Sequence, residues 1–220
     1  MTKGEKKGME LINLLKAQWG ATCLKIANID LRVIGEVRKK VNEEDKLVYV
    51  CNHQGGYDIP ILFYCLPSNL TFIAKKELFS IPILGFWMRK AGCIPMDREN
   101  PRKGLESIKN AVVSIHKGMS PVIFPEGTRS RDPEGKLLPF KKGSLKVAIK
   151  SGAKIIPIAI DGTRTVFQKD APPGKIRVCI AIGDEINFDD FSKEDQKNFS
   201  NIMQDNIETM FQKCKENIKE

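Results

Sequence analysis

Of the two histidines in this 220-residue chain, His53 stands in the stretch CNHQGGYDIP at 51–60, directly after the apolar run KLVYV. An imidazole leaving a strand end, with an aspartate five residues on, has the parts of a general base. A carboxylate on one ring nitrogen fixes the tautomer and leaves the other nitrogen as proton acceptor. A five-residue offset separates two side chains on a regular helix, so Gly55-Gly56 is expected to fold the loop back until Asp58 meets His53. Alone, the pattern H-x-x-x-x-D has a plainer explanation: His53 bonds backbone in a turn, and Asp58 caps the helix that Ile59-Pro60 begins.

A second group lies in IFPEGTRSR at 123–131. The β-rich run ends at Pro125, and Arg129 then offers a planar fork of donors suited to phosphate, with Gly127 allowing close approach of backbone to a ligand. GCIPMDR at 92–98 ends on Asp97 and Arg98, which by themselves read as a surface ion pair of small worth. Cys51 shares a strand face with His53, so a Cys-His nucleophile is conceivable, yet the apolar VYVC run favours a buried thiol. His116, two residues before Gly118, reads as a cation at a helix end.

The elements that must position these residues alternate. Strands are expected at 30–37, 46–52, 70–75, 93–97, from 121, at 154–160 and at 175–183. Helices are expected from Asp58 or Pro60 to Leu66, at 77–92 with Pro82 and Gly85 breaking it, and at 101–118, 141–153 and 192–218. Such alternation predicts an α/β layered domain whose central sheet, mostly parallel or mixed, is flanked by helices, with its chemistry in loops at strand ends. Residues 8–29 form an amphipathic helix with Leu11, Ile12, Leu15, Trp19, Cys23 and Ile26 along one stripe and Lys16 and Lys25 off it. The stripe packs on the core or lies on a membrane surface, and Trp19 and the lysines of TKGEKKG favour the surface. We therefore divide the chain into an N-terminal amphipathic segment, 1–29, and a domain spanning 30–220.

Composition sets the class of partner. The net charge of +9 and pI near 9.2 suit phosphate-bearing substrates, acidic carrier proteins, anionic lipid or nucleic acid. The six cysteines show no C-x-x-C pair, which argues against a zinc cluster and a disulfide framework and for free thiols in a reducing compartment. No run is apolar over the roughly 18 residues that a membrane-spanning helix requires.

Taken in order and spacing, NHQGGYD, AKKELFSIPILGFWMRKAGCIPMDR, VIFPEGTRS and KIIPIAIDGT resemble the four blocks of the glycerolipid acyltransferases, specifically the 1-acylglycerol-3-phosphate O-acyltransferase (lysophosphatidic acid acyltransferase) family. The resemblance runs from about residue 30 to 165. It implies His53 as general base with Asp58 as partner, and Arg98, Glu126, Gly127, Arg129 and Lys75 at the acceptor's phosphate. Pro157 matches the proline of the fourth block. It further implies acyl transfer from acyl-CoA or an acyl carrier protein to lysophosphatidate, with no cofactor and no metal. The place of work it implies is peripheral, on the cytoplasmic face of the cell membrane.

The chain departs from the commonest form of the family at Gly55, where serine is frequent, and in having an amphipathic stretch where longer members have transmembrane helices. Rival readings are an acyltransferase for another lysolipid or for glycerol 3-phosphate, a thioesterase, and a basic nucleic-acid-binding domain. The last has no aromatic-plus-basic recognition motif in its favour, so no nucleic-acid partner is expected.

Overall fold

The computed structural model describes residues 3–36, 45–66, 69–97, 100–132, 135–141, 143–166 and 174–219. Helix α1 (Lys3–Ile26) leads into β1 (Ile29–Ile34) and β2 (Leu47–Cys51), then α2 (Asp58–Cys65) and β3 (Leu70–Lys75). A 3-10 turn at Lys76–Ser80, α3 (Leu84–Lys90), β4 (Ile94–Met96), α4 (Pro101–His116) and β5 (Ser120–Ile123) follow. The chain closes with α5 (Lys146–Ser151), β6 (Lys154–Asp161), β7 (Ile176–Ile182) and α6 (Lys193–Lys219).

The seven strands form one sheet in the order β1-β7-β6-β2-β5-β3-β4. It is mixed: β6 and β7 are antiparallel, and the other neighbours are parallel. Burial of both faces explains the composition, since the central strand LVYVC is buried at every residue and a polar side chain there would lose water without gaining a partner. The α1 and α2 helices share one apolar cluster with one sheet face, and α4, α5 and α6 share the other. Along α6, Phe199, Met203, Ile207, Phe211 and Cys214 recur at helical spacing and are buried. The far end of that helix is held by Arg32 and Arg177, which donate to the carbonyls of Asn217 and Ile218, where cations complement the helix dipole.

Parallel pairing puts the C-terminal ends of β2, β3, β4, β5 and β6 along one edge of the sheet. The residues singled out above follow those ends. Where 77–92 was expected as a broken helix, the break is real: Pro82 and a positive φ at Ile83 separate the 3-10 turn from α3.

Helix α1 is present, and its apolar stripe faces outward. Leu11, Leu15, Trp19 and Ile26 are exposed, whereas Lys16, Gly20 and Leu24 are buried. The stripe therefore does not pack on the core. Gly20 fixes the orientation, because a Cβ there would lie 2.6 Å from the Pro60 carbonyl oxygen in α2. Lys16 reaches past it to donate to the Leu70 carbonyl at 2.9 Å and lies over the Phe63 ring.

Burial lowers the Lys16 pKa from 10.5 to about 8. Between those values the native state binds fewer protons than the unfolded chain, so this group makes stability rise with pH through that window. Urea midpoints of the wild type measured relative to Lys16→Met should accordingly rise from pH 8 to pH 10. A pH-independent difference would contradict the burial of this ammonium.

Candidate active site

The site is built at the end of β2. Asn52 extends the pairing beyond the last strand residue: its amide donates to the Ile160 carbonyl at 2.9 Å and its oxygen accepts from Ile160 N–H at 2.8 Å. The turn that starts at His53 is thereby fixed to β6. His53 Nδ1 then meets Asp58 Oδ2 at 2.6 Å. Asp58 is fully buried, and the same oxygen accepts the N–H groups of Gln54 at 2.9 Å and Gly55 at 3.1 Å. Its other oxygen accepts the hydroxyl of Thr163. Both oxygens of this buried carboxylate are thus met by hydrogen-bond partners.

Two local expectations change here. Asp58 is the first residue of α2, not its cap; Tyr57 holds the cap position and makes no side-chain capping bond. The carboxylate turns backwards onto the loop it follows. Nor do the two glycines serve by unusual backbone angles, since neither has a positive φ. Gly55 is required by contact: a Cβ there would lie 2.7 Å from the Thr163 carbonyl oxygen. Serine at this position would collide with backbone, which explains the departure from the commoner block. A Cβ on Gly56 would lie 3.9 Å from the Arg129 guanidinium.

The His53 ring stacks on Phe124, centroids 4.0 Å apart and planes at 20°. Its backbone N–H donates to Glu126 Oε1 at 2.7 Å, and its carbonyl accepts from Ser130 N–H at 2.9 Å. Glu126 is a brace and does not line the cleft: its second oxygen accepts from Leu138 N–H at 2.8 Å and the residue is buried. Burial raises its pKa, partly opposed by the two N–H bonds from Leu138 and His53. The phosphate-facing place implied for Glu126 is corrected accordingly, because both oxygens are already taken by backbone donors.

Gly127, in left-handed conformation with φ 71°, lines the cleft, and a Cβ there would meet the Lys141 ammonium at 2.8 Å. Arg129 and Lys75 line the same cleft; Lys75 is half-exposed and lies 3.7 Å from Glu77. Arg98 lies outside the described residues. Its neighbour Asp97 is buried, accepting from Lys76 Nζ at 2.7 Å and from Asn100 N–H at 3.1 Å, so it is no surface ion pair. Pro157 sits inside β6 opposite Val50, in the core. Cys51 is buried and its thiol pKa is pushed well up by that burial, which leaves it inert.

The cleft beside His53 holds about 790 Å³. Ile59, Phe72 and Leu78 give it an apolar side, and Arg129, Arg131 and Arg164 a cationic one. With Nδ1 occupied by Asp58, His53 has Nε2 left for proton transfer in the cleft. Among the described residues no side-chain hydroxyl or thiol bonds to this ring, and the Ser130 and Thr165 hydroxyls donate to the carbonyls of Lys136 and Gly162. The arrangement thus suits activation of a bound hydroxyl in place of an enzyme nucleophile. Thr163, Phe124 and Arg164 were not singled out from sequence. Only the GT following β6 in KIIPIAIDGT pointed to any of them, since glycine after a strand marks a special turn.

The chain is similar to known acyltransferases in sequence and in fold. A protein 33% identical over 171 residues is the 1-acyl-sn-glycerol-3-phosphate acyltransferase of Limnanthes douglasii, the match covering 72% of this chain and 60% of that one. A chloroplastic 1-acyl-sn-glycerol-3-phosphate acyltransferase of Brassica napus is 42% identical over 137 residues, 60% of this chain and 39% of that one. This chain therefore spans about two fifths to three fifths of the length of these relatives. The crystal structure of the 1-acyl-sn-glycerophosphate acyltransferase of Thermotoga maritima superposes with a TM-score of 0.77 at 25% identity, covering 98% of this chain and 83% of that one. The acyltransferase family model matches residues 32–161, more than half of the sequence and all of the strand ends that carry the site, and the chain belongs to the acyltransferase family.

Proposed function

We propose that this protein is a 1-acylglycerol-3-phosphate O-acyltransferase, which moves a fatty acyl group from an acyl thioester to the free hydroxyl of lysophosphatidate and yields phosphatidic acid. The observation that carries this reading is one cleft that joins an aspartate-held histidine to an apolar wall and a cationic wall. An acceptor with an acyl tail and a phosphate close to its reacting hydroxyl needs all three.

His53 Nε2 takes the hydroxyl proton as that oxygen attacks the thioester carbonyl. The tetrahedral intermediate collapses, the C–S bond breaks, and the imidazolium returns its proton to the departing thiolate. Asp58 holds the ring and offsets the positive charge that it gains. General-base assistance of this type supplies about 10²- to 10⁴-fold, and positioning and charge stabilisation supply the rest. Arg129 and Lys75, with Arg98, bind the phosphate, while Ile59, Phe72 and Leu78 line the path of an acyl chain. The thioester is already activated, so the residues named here suffice without a cofactor. Acyl-CoA and acyl carrier protein both present the required bond.

Purified protein given one acyl thioester and equal amounts of lysophosphatidate, lysophosphatidylcholine or glycerol 3-phosphate should acylate lysophosphatidate fastest. A preference for either alternative would reassign the acceptor.

We also infer that the protein works from a membrane surface, on the cytoplasmic leaflet. Among the described residues no helix is long and apolar enough to cross a membrane, yet Leu11, Leu15 and Trp19 of α1 and Ile83, Phe86 and Trp87 at α3 are exposed. Apolar side chains beside lysines are features of interfacial helices, and the six free cysteines suit a reducing side. Flotation with anionic vesicles at low salt should recover the wild type, and Leu15→Glu/Trp19→Glu should lose about tenfold or more of that binding, given the cost of placing charge in apolar lipid. Equal flotation of both would refute docking through α1.

A further inference from the structure

Resting on the dyad chemistry just proposed, we propose that Thr163 is a positioning residue for the reaction, its hydroxyl locking Asp58 in the orientation that holds His53 Nδ1. Asp58 distributes its partners unevenly. One oxygen takes His53 Nδ1 at 2.6 Å, Gln54 N–H at 2.9 Å and Gly55 N–H at 3.1 Å, and the other takes the Thr163 hydroxyl. The last torsion of an aspartate is broad, so nothing intrinsic to the side chain keeps this division. Without the Thr163 donor, the carboxylate gains by turning to share the loop N–H groups between both oxygens, which draws Oδ2 off the ring. Asp58 is fully buried and Thr163 nearly so, leaving no open path for water to take the hydroxyl's place.

Thr163 is itself held from a different part of the sheet. It follows Gly162, whose φ is 96° and whose Cβ position would lie 2.3 Å from the Arg177 carbonyl oxygen in β7. Only glycine brings the chain that close. The turn after β6 is thus set against β7 on one side, while on the other the Thr163 carbonyl abuts Gly55 in the His53 loop. The dyad comes from a single loop after β2, and the restraint on its carboxylate comes from β6, the neighbouring strand. The residue after Thr163, Arg164, lines the cleft and donates to the Asp132 carbonyl at 2.7 Å, so the same short turn touches the dyad and the substrate space.

The test compares wild type, Thr163→Val, which keeps shape and removes the donor, and Thr163→Ser, which keeps the donor. Two readouts are taken: kcat and KM for acyl transfer, and the Nδ1–H proton resonance of His53 in histidine-labelled protein, where His116 is the only other histidine. Thr163→Val should lower kcat about 10- to 100-fold, the range for losing a hydrogen bond to a buried charged group, with KM for both substrates nearly unchanged. It should also shift or broaden the His53 Nδ1–H signal, and Thr163→Ser should restore both. If Thr163→Val does not fold, Thr163→Ala against Thr163→Ser makes the same comparison. An unchanged kcat and an unchanged resonance in the variant lacking the hydroxyl would overturn the proposal. So would equal losses in the serine variant, which would assign the effect to the methyl group. A wild type that makes no phosphatidate would refute the proposed substrate, and the resonance comparison would still decide the role of Thr163.

Discussion

His53→Gln is expected to lower phosphatidate formation by about 10²- to 10⁴-fold, the usual worth of a general base, while circular dichroism and melting temperature stay close to wild type. Glutamine has a donor that can reach Asp58 Oδ2, so the buried carboxylate keeps a partner where His53 Nδ1 stood at 2.6 Å. The backbone bonds that hold residue 53, to Glu126 and from Ser130, do not depend on the ring. What is lost is the stacking on Phe124 and the group proposed to take the hydroxyl proton. Among the described residues no other side chain bonds to the ring. The loss should fall on kcat, because in the proposed reaction His53 meets the acceptor at its hydroxyl, whereas the phosphate and acyl chain meet other residues.

Asp58→Asn should cost about 10²- to 10⁴-fold in kcat as well, through loss of the negative charge beside the ring in place of the proton-accepting group itself. The amide is nearly isosteric, and the Thr163 hydroxyl can turn from donor to acceptor to satisfy it. The oxygen is then left for His53 and the two loop N–H groups, so folding stability should fall by only about 1 kcal/mol. An imidazolium formed during the reaction would nevertheless face a neutral group. Asp58→Ala separates the two roles. It leaves the donors of His53, Gln54, Gly55 and Thr163 without an acceptor in a buried site, where each orphaned group costs about 1–3 kcal/mol. Denaturant midpoints and kcat measured on both variants check this: similar kcat losses with unequal stability losses are expected. Equal destabilisation would mean that Asp58 acts mainly in the fold.

The dyad was legible in the sequence because both members lie in one loop, six residues long from His53 to Asp58, with unusual composition. The sheet was legible for a related reason: strands such as LVYVC at 47–51 and KIIPIAID at 154–161 are buried nearly throughout and read as continuous apolar runs. What stayed hidden depends on the order in which strands come together. Thr163 and Phe124 stand 110 and 71 residues after His53, and only the neighbouring positions of β6, β2 and β5 in the sheet bring them to the same histidine. The brace role of Glu126 was hidden likewise, because its partners are backbone N–H groups that no side-chain pattern reveals.

Helix α1 shows a different limit. Its periodicity located the helix but left the facing of its apolar stripe open between the core and a surface. A glycine small enough to touch α2 and a lysine long enough to reach the Leu70 carbonyl decided its rotation. The loop through Gly55 and Gly56 does fold back to join Asp58 to His53, and what the sequence did not show is the close approach of Thr163 that excludes a side chain at Gly55.

In the proposed reaction His53 directs an acyl group from a thioester onto a lipid hydroxyl. It is tested most directly by following phosphatidate, free fatty acid and free thiol together in one reaction of wild type and His53→Gln with lysophosphatidate and an acyl thioester. Wild type should form phosphatidate and thiol in equal amounts with little free acid, and both products should fall together in the variant. Thiol release matched by free fatty acid, or phosphatidate formed equally fast by His53→Gln, would contradict it.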